Sequence, residues 1–294
     1  MQAGKDSGAR RIREPAPRVS ASSVTRPKDR LYMLQDGMIY TAPSIASRVT
    51  SRYAACVLLS LEQQDFGLNA GGQEYQYQAV AIRPVLERGL HAGSQLFSLQ
   101  VYPTHPLYRR FGAIANPGFL TLPRDAYADL QVPLLKASQG RLKIEQAYEL
   151  FEGVIDRTLP HLPLGKRNDP RIERALQVLR VHPNYPLMEL APKLQISSDH
   201  LSRLFAQVVG LPWRSYMLWQ KMRTAAFLII KGLKLTDAAI RAGFVDSAHL
   251  SKTWQQAFGA SPSYFFHSES VAVTLDRICS RTATWISMAV RSTG

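Results

Sequence analysis

The spacing of apolar positions changes character along the chain. From about Leu31 to Pro123 it comes in strand-length runs: Cys56-Val57-Leu58-Leu59-Ser60-Leu61, Glu74 to Val80, and Leu96 to Tyr102. These runs alternate or are rich in β-formers, which predicts strands. Gly71-Gly72 ahead of Glu74 predicts a tight reversal between neighbouring strands, and Arg83-Pro84, Pro103 and Pro106 mark further ends. Many short strands without helical spacers predict an antiparallel sandwich or barrel. Between Arg124 and Leu159 the period becomes helical, with Leu142, Ala147, Leu150, Phe151, Val154 and Ile155 forming a broad stripe. Such a stripe suits packing on its own domain or dimerisation with a second subunit.

His161 to Asn168 has the Pro, Gly and charge content of a linker. Asp169-Pro170 then restarts the chain as an N-cap followed by Pro at the first helical position. Ile172, Ala175, Leu176 and Leu179 make the buried side of that helix, which stops before His182-Pro183. Leu187 to Leu194 predicts a helix kept short or bent by Pro192. Ser197 or Ser198 opens the next, running to Gly210 with Leu201, Leu204 and Phe205 inward. A longer helix spans about Pro212 to Lys231, with Tyr216, Met222, Ala225, Ala226, Leu228 and Ile229 apolar. Thr236 caps another, which Gly243 ends. Asp246 or Ser247 caps a last helix, with Leu250 and Trp254 inward.

Part of this helical region is written twice. His200-Leu201-Ser202-Arg203 and His249-Leu250-Ser251-Lys252 match in register through Phe205/Trp254, Gln207/Gln256 and Gly210/Gly259. Each copy follows a short helix and a turn, which is the layout of a helix-turn-helix that lays its second helix in a DNA major groove. Asp199, Ser202 and Arg203 face outward in the first copy; Ser247, His249, Ser251 and Lys252 do so in the second. A guanidinium takes guanine O6 and N7 together, so Arg203 leads this set; clamping a phosphate is the open alternative for it. Asp199 can only accept from cytosine N4. A connecting helix of about 20 residues rises about 30 Å, close to the roughly 34 Å of one DNA turn.

The composition agrees. A chain of 294 residues has room for two domains, and a formal charge of +14 favours polyanionic partners. The two cysteines, Cys56 and Cys279, write neither a disulfide framework nor a Cys-based zinc site, which fits a reducing cytoplasm. No apolar run approaches the roughly 20 residues of a membrane span, and no signal-type apolar core stands near Met1. Residues 1–30 are basic and poor in large apolar side chains, which predicts a flexible basic arm. That arm either adds phosphate contacts or lies ahead of the true start, with Met33 and Met38 just beyond. His91 and His105 stand alone, so no metal site and no cofactor are expected. Residues 268–294 form an extension in which Leu275, Ile278, Trp285, Ile286 and Met288 either make a docked helix or fray.

Residues 170–266 resemble the double helix-turn-helix domain of the AraC/XylS family of transcription regulators. The resemblance rests on Leu190-Ala191, Ser197, Leu201-Ser202-Arg203-Leu204-Phe205 and Gly210; on Tyr216, Lys221-Met222, Ala225 and Leu228-Ile229; and on Ala239, Gly243-Phe244, Asp246-Ser247, Leu250, Lys252, Trp254, Phe258-Gly259 and Pro262. The chain departs from the pattern at Pro192, at Lys252 and Trp254 where Arg and Phe are usual, and at Phe266 where Arg often closes the motif.

The resemblance implies two domains. A mainly β, cupin-like sensing or dimerisation domain with helices covers 31–160, a linker 161–169, and an all-α DNA-binding domain 170–267, in which a long helix joins the two units. It implies a sequence-specific regulator, not an enzyme, whose partners are a double-stranded DNA operator, RNA polymerase, a second copy and a small-molecule effector. It also implies that the first reading helix makes most base contacts and that the second often adds backbone contacts; Lys193, Arg214, Lys221 and Lys234 either solvate their helices or, for a few of them, neutralise phosphates. Tyr75, Tyr77, Arg83, His91 and Tyr102 are candidates to line the effector pocket at the mouth of the barrel. The competing readings are a ligand-independent dimeric regulator and a cupin-type enzyme carrying a DNA-binding domain.

Overall fold

The computed structural model describes residues 28–165, 169–267 and 271–275. Its first part holds strands β1 (Asp29–Met33), β2 (Gly37–Ala42), β3 (Ile45–Ala46), β4 (Thr50–Ser51), β5 (Ala55–Ser60), β6 (Phe66–Ala70), β7 (Gln73–Tyr77), β8 (Ala79–Ile82), β9 (Glu87–Ala92) and β10 (Leu96–Val101). Helix α1 (Tyr108–Gly112), strand β11 (Phe119–Thr121) and helices α2 (Gln131–Ser138) and α3 (Ile144–Thr158) follow. The second part is helical: α4 (Pro170–Val181), α5 (Leu187–Lys193), α6 (Ser198–Val209), α7 (Trp213–Ile230), α8 (Leu235–Arg241), α9 (Ser247–Phe258) and α10 (Pro262–His267). A last strand, β12 (Val271–Leu275), returns to the sheet.

Two sheets face one another. The larger has the order β11-β8-β5-β10-β2-β1-β12, the smaller β3-β9-β6-β7 with β4 also on β9. The result is an open sandwich, mainly β as expected, rather than a closed cupin-type barrel. The central strands β5 and β10 are buried along their whole length, because both faces of the larger sheet are covered. Cys56, Leu58, Val80, Ile82 and Leu96 face the second sheet. Their neighbours Val57, Leu59, Phe97 and Leu99 instead join a core that also holds Leu134, Leu150, Phe151 and Val154 of α2 and α3. The α3 stripe is therefore spent inside its own domain, where internal packing displaces the alternative of dimerisation. Gly71 and Gly72 turn the β6–β7 hairpin with φ of +61° and +79°, both left-handed as a two-residue reversal of this kind requires.

Several boundaries differ from the sequence expectation. The run Glu74–Val80 is divided at Gln78 between β7 and β8, because the chain leaves one sheet and enters the other. Asp29 and Arg30, assigned to the basic arm, belong to β1; residues 1–27 of that arm lie outside the described residues. Thr236 sits inside the first turn of α8, whose N-cap is Lys234. Leu275 ends a strand, paired in parallel with β1, rather than joining a helix; Ile278, Trp285, Ile286 and Met288 lie outside the described residues.

The helical part is seated on the sheet part. Arg180 on α4 donates to the Thr104 carbonyl at 2.7 Å, and Arg223 on α7 donates to the Gln35 carbonyl at 2.9 Å. The Tyr264 hydroxyl donates to Asp29 at 3.0 Å, and Arg109 pairs with Glu173 at 3.5 Å. No helix among the described residues is long and apolar enough to cross a membrane.

Candidate nucleic-acid interface

The duplicated sequence folds as a duplicated structure. Ser197 accepts from the His200 N–H at 3.2 Å to cap α6, and Asp246 accepts from the His249 N–H at 2.6 Å to cap α9. Each cap satisfies one of the four N–H groups that a helix start leaves unpaired. Each helix has 12 residues and stops at a left-handed glycine, Gly210 (φ +81°) or Gly259 (φ +78°), the conformation glycine adopts without a Cβ penalty. Leu201, Phe205 and Val209 are buried on α6, as are Leu250, Thr253, Trp254 and Ala257 on α9.

The turns that feed these helices are also related. The Ile196 N–H reaches the Ala191 carbonyl at 3.2 Å, and the Phe244 N–H reaches the Ala239 carbonyl at 3.0 Å. Between that bond and the cap the second unit has one more residue, Val245, which is 79% exposed. Matching residues thus lie 48 positions apart up to Phe244 and 49 apart from the cap onward. Pro192 stands in the last turn of α5, which is limited to seven residues.

Helix α7 joins the units. Its 18 residues rise about 27 Å at 1.5 Å each. Tyr216, Trp219, Met222, Ala225 and Ala226 bury its inner side, and the Phe205 ring meets Trp213 and Tyr216 at 4.9 and 5.2 Å.

On the outer surface of α6, Asp199 and Arg203 are exposed and Ser202 is half-buried. On α9, His249 and Lys252 are exposed, while Ser247 and Ser251 are half-buried. The His249 ring rests edge-on against Phe244 at 5.3 Å. Gln207, Gln255 and Gln256 are exposed further along the two helices. Among the basic residues expected to reach phosphates, Arg214 and Lys234 are exposed. Lys193 lies over the Tyr185 ring at 4.9 Å, and that contact raises its pKa. Lys221 is engaged inside the protein, donating to the Gly243 carbonyl at 2.7 Å. It fastens the second turn to α7, a role that its place in the sequence did not disclose.

The five residues expected around an effector pocket are scattered. Tyr75 and Tyr77 gather around Phe119 at 4.8 and 5.9 Å at the edge of the inter-sheet core. Arg83 donates to Asn116 at 3.0 Å, and His91 is exposed on β9. Tyr102 alone of the five borders the cavity between the sheet and the helices, with its ring 5.4 Å from Trp219. Sequence reasoning missed Arg52, Gln100 and Arg223, which also line that cavity. For Gln100 the signal, a polar residue on an inward-facing strand position, appears only once strand register is known; Arg52 follows β4 outside any strand.

A family model described as "Helix-turn-helix domain" matches residues 190–268. The chain is 27% identical over 163 residues to the arabinose operon regulatory protein of Escherichia coli K12, covering 51% of this chain and 56% of that protein. It is also 27% identical over 130 residues to the Msm operon regulatory protein of Streptococcus mutans, covering 42% and 46%. The crystal structure of ToxT from Vibrio cholerae O395 overlays with a TM-score of 0.49 at 11% identity, covering 78% of this chain and 95% of that one. The chain spans about half the length of the curated relatives it matches. Two capped, glycine-ended helices on one connecting rod lie within the segment that is similar to a helix-turn-helix domain.

Proposed function

We propose that this protein is a cytoplasmic, sequence-specific DNA-binding transcription regulator whose N-terminal domain senses a small-molecule effector. The observation that carries the reading is the pair of helices α6 and α9, built alike, capped alike and held by one rod with their polar faces outward. In this reading α6 and α9 enter successive major grooves on one side of the duplex. Arg203 reads guanine, with Asp199 and Ser202 beside it; Ser247, His249, Ser251 and Lys252 form the second contact set. The charge of +14 supplies a sequence-independent, salt-sensitive attraction to phosphates.

Effector occupancy acts by shifting how the helices sit on the sheet, and a second copy and RNA polymerase are the protein partners. The reading assigns no catalysis to the chain. Selection of sites from random duplex DNA by the full chain, at near-physiological salt, tests it. Two short sequence blocks about one helical turn apart are expected, and a repeat of the pair would establish a dimer. Retention of DNA with no enriched motif would overturn the reading.

A further inference from the structure

Strand register sets Met33, Met38, Gln100 and Cys56 side by side across the larger sheet, since each is the cross-strand partner of the next. The helical part lies over the Met33, Met38 and Gln100 end of this row, whereas Cys56 faces the second sheet, and it leaves a cavity of about 50 Å³, several times what one water needs. Met38, Gln100 and Arg52 border it from the sheet side, Trp219, Met222 and Trp254 from the helices.

The walls are mostly apolar, yet three of these residues carry buried polar atoms without a hydrogen-bond partner: Arg52 Nε, Gln100 Nε2 and Trp254 Nε1. Arg88 lies next to Arg52, is 1% exposed, and leaves its own Nε and Nη2 unpartnered. All five atoms are donors. Arg88, the Cys56 thiol and the Tyr40 hydroxyl act on the Arg52 guanidinium, and the Cys56 thiol, also as a hydrogen-bond partner, acts on Arg88; no carboxylate is among them. Burial first, and Arg88 second, bring the Arg52 pKa down to about 10, so it stays charged at neutral pH. Buried charges are ordinarily paired, and buried donors ordinarily bonded. Turning the Gln100 amide over would leave the guanidiniums still without an anionic acceptor.

We infer that this cavity is the effector site and takes a small organic anion, its carboxylate on Arg52 and Gln100 with Arg88 behind, and its short apolar body between Met38, Trp219 and Trp254. The inference rests on the proposed effector-controlled reading of DNA and deepens it. Trp254 is the inner residue of α9, so a ligand here touches the second reading helix itself. Its contacts with α9 supply the differential interaction that a population shift requires.

Trp219 and Trp254 are reporters of occupancy. Titration of the full chain with phenylacetate or butyrate is expected to change tryptophan emission saturably, and neutral phenylacetamide to bind at least tenfold more weakly. Arg52→Met should weaken phenylacetate at least tenfold while raising the melting temperature, because an unpaired buried charge is removed. Gln100→Glu, which supplies an internal carboxylate, should also raise the melting temperature and block binding. The inference is overturned if neither organic anion binds, if phenylacetamide binds as well as phenylacetate, if inorganic phosphate alone saturates the signal, or if Arg52→Met leaves affinity unchanged. Anion binding and DNA reading fail separately: a selected DNA motif without anion binding sinks this site alone, and anion binding without a motif sinks the regulator reading alone.

Discussion

The two helix-turn-helix units share a frame but not a setting. On the inner side of the first, α6 packs near α1, with Gly210 against Gly112. Val208 and Val209 border a polar groove of about 310 Å³ shared with Thr104, Arg109 and Arg180. The inner side of the second faces the mostly apolar cavity, and its terminal Gly259 abuts Thr50 on β4. The aromatic support differs in the same sense. Phe205 is held by residues of the connecting rod, whereas Trp254 is held by Phe258, Phe265 and Phe266. Equal local signals produce equal helices, and tertiary surroundings then seat one unit on α1 through a polar groove and the other on the sheet across an apolar cavity.

The largest effects that sharpen this comparison lie in the two cores. Leu201→Ala and Leu250→Ala each empty a site with 0% exposure and should each cost about 2–5 kcal/mol, measured by denaturant unfolding. Leu250→Ala should also shift the emission of the neighbouring Trp254, whereas Leu201→Ala leaves that signal in place; identical spectra would break the distinction. Next, Arg203→Ala should lower affinity for a selected site about 10–100-fold and leave scrambled DNA little changed, as expected for a lost bidentate base contact. Equal losses on both DNAs would assign Arg203 to phosphate. Lys252→Ala should weaken both DNAs alike and reduce the salt slope by about 1, seen in binding isotherms across salt concentrations. Smallest are the caps: Ser197→Ala and Asp246→Ala should each cost about 1 kcal/mol, and a large inequality in thermal unfolding would show that the extra Val245 turn shares the work of the second cap.

The helical half was legible because its signals are local. Asp169-Pro170, Ser197, Gly210, Asp246 and Gly259 each fix a helix end through a cap or a left-handed φ within a few residues. The Thr236 assignment failed because Lys234 already has the extended backbone of a cap without contributing any side-chain bond. The sheet half was legible only where burial is two-sided, as in β5 and β10. β9, Glu87–Ala92, carries Arg88 inward and His91 outward, so its hydrophobic pattern conceals which face is buried. β12 pairs with β1 across more than two hundred residues of sequence, a distance over which periodicity carries no information. The cavity was invisible for the same reason: its donors converge from the segment after β4, from β10 and from α9, and only register and docking bring them together.

β12 carries a mechanical consequence. The chain leaves the sheet after α3 and, once the seven helices are complete, re-enters it beside its own first strand. The helical half is therefore a handle riveted at both ends, not a flag on one hinge. A handle of this kind tilts about the line joining its rivets, and a wide swing first requires β12 to peel from β1, one backbone hydrogen bond after another. Only 11 residues separate Gly259 from Val271, so α9 sits close to the later rivet and has the shorter lever arm.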